Sequence, residues 1–214
     1  MIAFSVGRVL CASVMAADAT TDAAEIQAVK QAAQEATKIF YPRAEKRKPV
    51  YGFAEADNLA SAVLGEPARL FFIDDKDVQA YHDGQALDGI LKPAGEWFVP
   101  VAIGGTNRAM LGVKDAGDGK WIGATFGMAP LARKWQSIQA WWPSSGKFTP
   151  QLVICPPAEG YYFTVPQIQP PNLTPLASLS ATASISGQAP KPVLAPAGDS
   201  LRPVQKMLEA RGGP

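Results

Sequence analysis

The chain has 214 residues, which is enough for one folded domain with appendages but hardly for two full domains. Lys and Arg number 20 against 19 Asp and Glu, so the formal net charge is only +1 and the sequence gives no basic surface for nucleic acid. A hydrophobic content of 47% predicts a substantial core, yet no apolar run has the length and freedom from charge that a membrane span requires.

The N-terminus resembles a secretory signal peptide. Residues 2–15 form a short, mostly apolar stretch, and small residues follow it. Val14 and Ala16 fit the small-residue pattern for cleavage after Ala16, and a second site lies after Ala19. The sequence therefore predicts a signal peptide at residues 1–16 and a periplasmic or secreted protein. A buried N-terminal helix is the alternative interpretation of the same stretch.

An amphipathic helix is predicted at residues 22–40, directly after the signal segment. Asp22 and Glu25 have the spacing of a capping box, and apolar residues recur at helical intervals behind them. Pro42 is expected to end the helix, and a charged hinge follows. Residues 17–48 are thus predicted to form an N-terminal helix and hinge.

The core domain is predicted to span residues 49–166. It opens with a short helix from Asp57 to Leu64 and a strand at residues 68–73. Residues 97–127 alternate apolar and polar side chains around two glycine-containing turns, which predicts a three-stranded meander. Pro100 lacks an amide donor, so its strand is expected to lie at a sheet edge or a bulge.

The second half of the core is predicted to contain one more helix and two more strands. Residues 130–142 place Leu131, Trp135, Ile138 and Trp142 on one stripe, and strands are expected at 151–155 and 161–165. Helices and hairpin-linked strands are thus segregated along the chain. This order predicts an α+β fold with a largely antiparallel sheet of about five to six strands and two to three helices packed on one face.

The composition changes beyond Pro166. Residues 167–176 are expected to form an extended segment packed on the core, since Ile168, Leu173 and Leu176 can be buried there. Residues 177–214 are rich in Pro, Ser and Ala and are predicted to be a disordered tail. Within this tail, residues 201–210 could form a short helix on binding a partner.

Candidate catalytic residues are few, because His82 is the single histidine of the chain. If the signal peptide is removed, Cys11 is lost and Cys155 remains as a lone thiol. Cys155 paired with His82 would make a thiol hydrolase, which is the enzymatic alternative. Cys155 ends an apolar strand before two prolines, however, and that position favours a buried structural cysteine.

The densest set of metal-ligating side chains is Asp74, Asp75, Asp77, His82 and Asp83. Their spacing does not match a calcium-binding EF-hand loop, and turn chemistry accounts for Asp and Asp-Gly at these positions. We therefore predict neither a metal site nor a cofactor, and keep the cluster as an alternative metal site.

Aromatic residues are the remaining candidates for a binding site. Trp141 lies off the apolar stripe of its helix, and Tyr161 and Tyr162 are adjacent in a strand and must face opposite ways. Trp141, Tyr161 and Tyr162 are thus predicted to mark a contact surface. The sequence favours a non-enzymatic interaction or accessory domain that binds another envelope or secreted protein. A glycan- or lipid-binding module using these aromatics is a further alternative.

Overall fold

The computed structural model describes residues 11–179 and 191–211, with side chains from Ala23 onward. Four α-helices and eight strands lie in these ranges, together with several single turns of 3₁₀-helix. In chain order they are α1 Cys11–Glu45, β1 Val63–Leu64, β2 Ala68–Phe72, α2 Asp75–Ala80, β3 Lys92–Ile103, β4 Thr106–Asp115, β5 Trp121–Gly127, α3 Ala129–Trp141, β6 Gln151–Cys155, β7 Gly160–Thr164, β8 Thr174–Pro175 and α4 Ala197–Arg211.

All eight strands belong to one sheet of order β5-β4-β3-β2-β6-β7-β8, with β1 pairing beside β2 on β3. β2 and β6 are parallel, and the other neighbours are antiparallel. The α+β class, the largely antiparallel sheet and the three-stranded meander β3-β4-β5 are therefore confirmed. The sheet is larger than the predicted five to six strands, because β1 and β8 have two residues each and show no alternation in sequence.

The helices pack on both faces of the sheet, so the prediction of helices on one face is wrong. Phe98 of β3 packs under α3, whereas its neighbours Trp97 and Val99 belong to the cluster under α1. Likewise Leu152 of β6 faces α3, whereas Val153 contacts the cluster of α2 and α4. Alternate side chains of a strand point to opposite faces, so each strand supplies two separate cores.

Helix α1 differs from the prediction at both ends. The helix already includes residue 22 and continues through Pro42 to Glu45. Pro42 removes one helical amide donor, but Ala44 beyond it is completely buried and Tyr41 packs against Phe126, so tertiary contacts hold the last turn. The predicted charged hinge therefore begins later than expected.

The predicted helix from Asp57 to Leu64 is also wrong. Leu59–Ser61 form a single 3₁₀ turn that Asn58 caps, and β1 follows it. Asp57 is instead held in an ion pair with Arg108 of β4, its Oδ2 lying 3.2 Å from the guanidinium. This pairing anchors the loop to the sheet, and β1 begins at Val63, so only residues 58–62 lie between them and a longer helix does not fit.

Pro100 lies in a strand that is paired on both sides, so its predicted edge position is wrong. The N–H of Gly65 donates to the carbonyl of Pro100 at 2.8 Å. The backbone nitrogen and carbonyl of Pro100 therefore point toward the turn between β1 and β2 and away from β4. The missing amide therefore removes no bond from the β3–β4 ladder. A register irregularity follows directly, between Val101 and Ala102, which agrees with the bulge that was the alternative prediction for this strand.

The C-terminal prediction needs correction for residues 197–211, which form the packed helix α4 rather than a disordered tail. Leu201, Val204 and Leu208 are buried in the cluster with α2, and Gln205 donates to the carbonyls of Val78 and Tyr81 at 2.9 Å. These apolar residues recur at helical spacing and find their partner surface within the same chain. Residues 177–179 and 191–196 of the predicted tail are also described, and Leu179 is buried, whereas residues 180–190 and 212–214 lie outside the described residues.

Most of the predicted signal peptide also lies outside the described residues, which begin within it at Cys11. The extended segment before the tail packs as its apolar residues suggest, with Leu173 and Leu176 buried. Among the described helices, none combines the length and the apolar character needed to cross a membrane.

Candidate functional site

An apolar groove lies between the start of α3 and the edge of the sheet at β7. We call it the α3–β7 groove; its volume is about 590 Å³. One wall comes from residues 128–134, and the other from the turn and strand at residues 158–162. Residues 175–177 close one side of it. Lys134 and Glu159 are the two charged side chains that line this groove.

Local backbone geometry builds both walls. Gly127 and Met128 have positive φ values of 122° and 52°, which turn β5 sharply into α3. Pro156 and Pro157 begin a 3₁₀ turn after β6, and Glu159 with φ 51° completes the reversal into β7. Met128 and Glu159, which flank the groove, thus both have left-handed backbone conformations. Residues other than glycine adopt this conformation only when the surrounding structure holds them there.

Lys134 fixes the third side of the groove to α3. Its Nζ donates to the carbonyl of Leu176 at 2.6 Å. The Leu176 side chain is buried against α3 and the sheet. This charged hydrogen bond holds the segment after β8 against the helix, so the groove is formed before any ligand binds.

Two of the three predicted binding residues line this groove. Tyr161 is half-buried on the α3 face and meets Phe98 edge-to-face at 6.3 Å. Tyr162 is buried and packs mainly on the opposite face, in the cluster that contains Cys155. Burial raises the pKa of both tyrosine hydroxyls, and the nearby Glu96 charge adds to the rise at Tyr161.

Trp141 lies apart from the two tyrosines, at the far end of α3. It is half-buried and contacts Trp142 edge-to-face, with 6.0 Å between the ring centroids. The predicted aromatic set is therefore divided between two regions. Trp142 has Lys191 over its ring at 4.7 Å, so this second region is covered by the segment that precedes α4.

Cys155 and His82, the alternative catalytic pair, lie in opposite environments. Cys155 is completely buried in the α2–α4 cluster, and this burial raises the pKa of its thiol. His82 is exposed, and its backbone N–H donates to the side chain of Gln85 at 3.2 Å. A nucleophilic thiol needs access and a lowered pKa, and Cys155 has neither.

The acidic cluster is organised by lysine rather than by a vacant cation site. Lys92 Nζ lies 2.5 Å from Asp74 and 2.6 Å from Asp77, and Asp74 also caps α2 through the N–H of Asp77. The hydrogen bond from Lys92 lowers the pKa of Asp74, and the same contact raises the pKa of Lys92. Asp83 is paired with Arg202 of α4 at 2.6 Å.

Asp75 and His82 are exposed and stand outside these ion pairs. Across the described ranges, no three His, Cys, Asp or Glu side chains converge closely enough to hold a metal ion.

Sequence reasoning missed Met128, Lys134 and Leu176, which complete the groove. Lys134 follows Leu131 by three positions and so lies on a neighbouring part of the helix surface, but nothing in the sequence showed that Leu176 would lie beside it. No protein-family model, curated protein or solved structure matches this chain.

Proposed function

We propose that this chain is a non-enzymatic interaction domain of the periplasm or the secreted space, and that it binds another envelope or secreted protein as an accessory subunit. The observation that carries the proposal is the α3–β7 groove, a largely apolar surface beside a sheet edge that β8 covers over only two residues. Concave apolar surfaces rimmed by a few polar groups are typical binding sites.

The environments of the reactive side chains support a non-enzymatic role. Cys155 is buried, and Asp74 and Asp77 both form ion pairs with Lys92. Ion pairs and apolar burial also occur for purely structural reasons, and here they account for these side chains without proton transfer. The residues that line the α3–β7 groove are mostly apolar and include no Ser, Thr, Cys or His.

Two observations are compatible with export. Glu25 of α1 binds Arg69 and Trp97, and cleavage after Ala16 or Ala19 would leave both contacts in place. Complete burial of Cys155 also suits an oxidising compartment, where an accessible lone thiol would react.

Site-specific photo-crosslinking in the native cells tests the proposal. A photoreactive residue at the exposed groove position Ala177 should give a discrete adduct with an envelope or secreted protein. The matched control is Ile122 on β5, the opposite edge of the sheet, which is also exposed and should give no such adduct. Equal labelling from both positions, or none from Ala177, would overturn the binding role.

Mass spectrometry of the recovered protein tests the compartment in the same experiment. A mature N-terminus at Ala17 or Thr20 is expected. An intact N-terminus in the cytoplasmic fraction would overturn export.

A further inference from the structure

The end of helix α1 carries three exposed basic side chains. Arg43 lies in the last turn of α1, and Lys46 and Arg47 follow directly after the helix. The N–H of Arg47 donates to the carbonyl of Ala44 at 2.9 Å, so the chain still turns tightly here and keeps the three cations close together. Within the described residues, none of these three side chains takes part in an ion pair or a hydrogen bond.

The acidic side chains around this turn are mostly paired already. Three of them are held in ion pairs of 2.6–3.2 Å, namely Glu45–Lys48, Glu35–Lys38 and Asp57–Arg108. Glu55 is exposed and has no ion-pair partner in the part of the chain that the structure describes. Three unpaired cations therefore stand against one unpaired carboxylate, and this end of α1 is positive although the whole chain is nearly neutral.

Two exposed apolar side chains flank the cations. Ile39 is 57% exposed and precedes Arg43 by four positions, so the two side chains are neighbours on the surface of α1. Val50 is 69% exposed, and its N–H donates to the carbonyl of Arg47 at 3.0 Å. Of the five large apolar side chains that are exposed among the described residues, two thus fall within residues 39–50. We call Ile39, Arg43, Lys46, Arg47 and Val50 the α1-end patch.

Aromatic packing holds this patch on the body of the domain. Phe40 of α1 stacks on the ring of Phe126 in β5, with 5.3 Å between the centroids. Tyr51 and Phe53, which follow Val50, have their ring centroids 5.6 and 5.9 Å from that of the same phenylalanine. The exposed side chains are therefore carried by packed elements, and binding requires little further ordering of the backbone.

We propose that the α1-end patch binds the surface of a membrane that contains anionic phospholipid. Arg43, Lys46 and Arg47 contact headgroup phosphates, because an anionic surface attracts basic side chains that lie near it. Ile39 and Val50 enter the boundary between the headgroups and the acyl chains. The combination favours lipid over an acidic protein surface, since a bilayer places phosphate groups directly above an apolar layer.

The patch is separate from the α3–β7 groove. It lies around Phe126 on β5, at one edge of the sheet, and α1 packs on the face opposite to α3. The α3–β7 groove lies on the α3 face beside β7, towards the other edge. A chain that binds lipid through the patch keeps the groove open to a partner protein, so this inference goes beyond the proposed function.

Vesicle flotation of the full chain tests the lipid chemistry. Vesicles of phosphatidylcholine mixed with phosphatidylglycerol should bind the chain at least about tenfold more tightly than vesicles of phosphatidylcholine alone. Added salt should reduce this preference, because it screens exposed charges. The apolar residues 2–15 would favour both vesicle types alike, so the ratio of the two affinities isolates the contribution of the patch. Equal binding to both compositions, or to neither, would overturn the proposal.

Neutralisation of the cations tests the residues. The triple variant Arg43→Gln, Lys46→Gln and Arg47→Gln should lose about tenfold or more of the affinity for the anionic vesicles. The matched control removes the same charge from three exposed lysines on other surfaces, Lys76→Gln, Lys120→Gln and Lys206→Gln, and should bind like the unchanged chain. Unfolding in urea should show both triple variants folded, since all six side chains are exposed. An equal loss in the two variants would reject a localised patch.

Substitution of Val50→Ser tests the apolar contact. It should weaken binding to the anionic vesicles by about fivefold, because one valine side chain no longer leaves water. Val193→Ser is the control, since Val193 is 92% exposed and lies outside the patch, and it should leave binding unchanged. Unchanged binding of the Val50 variant would reject insertion below the headgroups.

These results are separable from the test of the proposed function. A discrete adduct from Ala177 without any preference for anionic vesicles would retain the interaction domain and reject the membrane surface. Capture of an acidic protein that depends on Arg43, Lys46 and Arg47, with no binding to anionic vesicles, would likewise reject it.

Discussion

The carboxylate of Glu25 on α1 lies 2.7 Å from the guanidinium of Arg69 on β2, forty-four positions later in the chain. The same carboxylate accepts a hydrogen bond from the indole N–H of Trp97 at 3.0 Å. The Arg69 guanidinium also lies over the Trp97 ring at 5.2 Å. One acidic side chain thus joins the N-terminal helix to two neighbouring strands.

Substitution of Glu25→Gln should lower the free energy of unfolding by about 1.5–3 kcal/mol, the range for a hydrogen bond to a charged group. The Glu25 side chain is only 17% exposed, so water cannot replace the lost contacts fully. Urea unfolding monitored by tryptophan fluorescence measures the effect. Glu35→Gln, in an exposed pair with Lys38, is the control and should change stability by less than about 0.5 kcal/mol. Equal effects of the two substitutions would contradict a special role for Glu25.

Substitution of Gly123→Ala should separate α1 from the edge of the sheet. A Cβ at this position of β5 would collide with the Cβ of Ala36, which is buried in the contact with α1. We expect a loss of about 1–3 kcal/mol, as for other overpacked interfaces. Gly89→Ala is the matched control, because a Cβ there meets open space. Equal thermal midpoints for both variants would show that α1 does not approach β5 so closely.

Substitution of Leu201→Ala tests whether α4 belongs to the folded core. Leu201 is 1% exposed within the α2–α4 cluster, so truncation should cost about 2–5 kcal/mol. Val193→Ala is the control, since Val193 is 92% exposed and should give almost no change. Chemical denaturation of both variants provides the measurement. If this segment were disordered, neither substitution would change the free energy of unfolding.

Cys155 should resist thiol reagents in the native state. In a Cys11→Ser background, labelling should be roughly a hundredfold slower than in urea, because the thiol is accessible only after local unfolding. Burial raises the folded-state pKa, so native labelling should remain slow at about pH 8.5, where free cysteine ionises.

The same shift also predicts a pH dependence of stability. The unfolded thiol releases its proton at lower pH than the folded one, so Cys155 lowers stability as pH rises above about 8.5. Cys155→Ala should therefore reduce the alkaline loss of stability. Rapid native labelling would instead restore the thiol hydrolase hypothesis.

The sequence predicted elements whose side-chain pattern is long and regular. The meander β3-β4-β5 and helix α3 show strict alternation or a clear stripe, and both form as expected. Helix α4 was predicted only as a short helix at residues 201–210 that forms on binding a partner, because its surroundings are rich in proline and alanine and Pro203 lies within it. Its apolar side chains become a core stripe only when α2 provides a surface. Prediction from local composition therefore misses the stability of a helix that tertiary contacts hold in place.

The candidate site was predicted in part. Aromatic density identified Tyr161 and Tyr162, and the structure places both at the α3–β7 groove. The contact between Lys134 and Leu176 depends on residues 42 positions apart, which periodicity cannot relate. Trp141 was grouped with the tyrosines by residue type alone, and the length of α3 separates it from them.

The parallel pairing of β2 with β6 has a consequence for the order of folding. Leu70 and Leu152 are partners in this ladder, and the entire meander and α3 lie between them in sequence. The hairpins of the meander join neighbouring residues and can close early, whereas the parallel ladder must close a long loop. We expect β3-β4 amides to gain protection before β2-β6 amides in pulsed hydrogen exchange, and simultaneous protection would contradict this. The β2–β6 ladder is then the last part of the sheet to form. During synthesis the strands β2 to β5 therefore remain unpaired with β6 to β8 until most of the chain has been made.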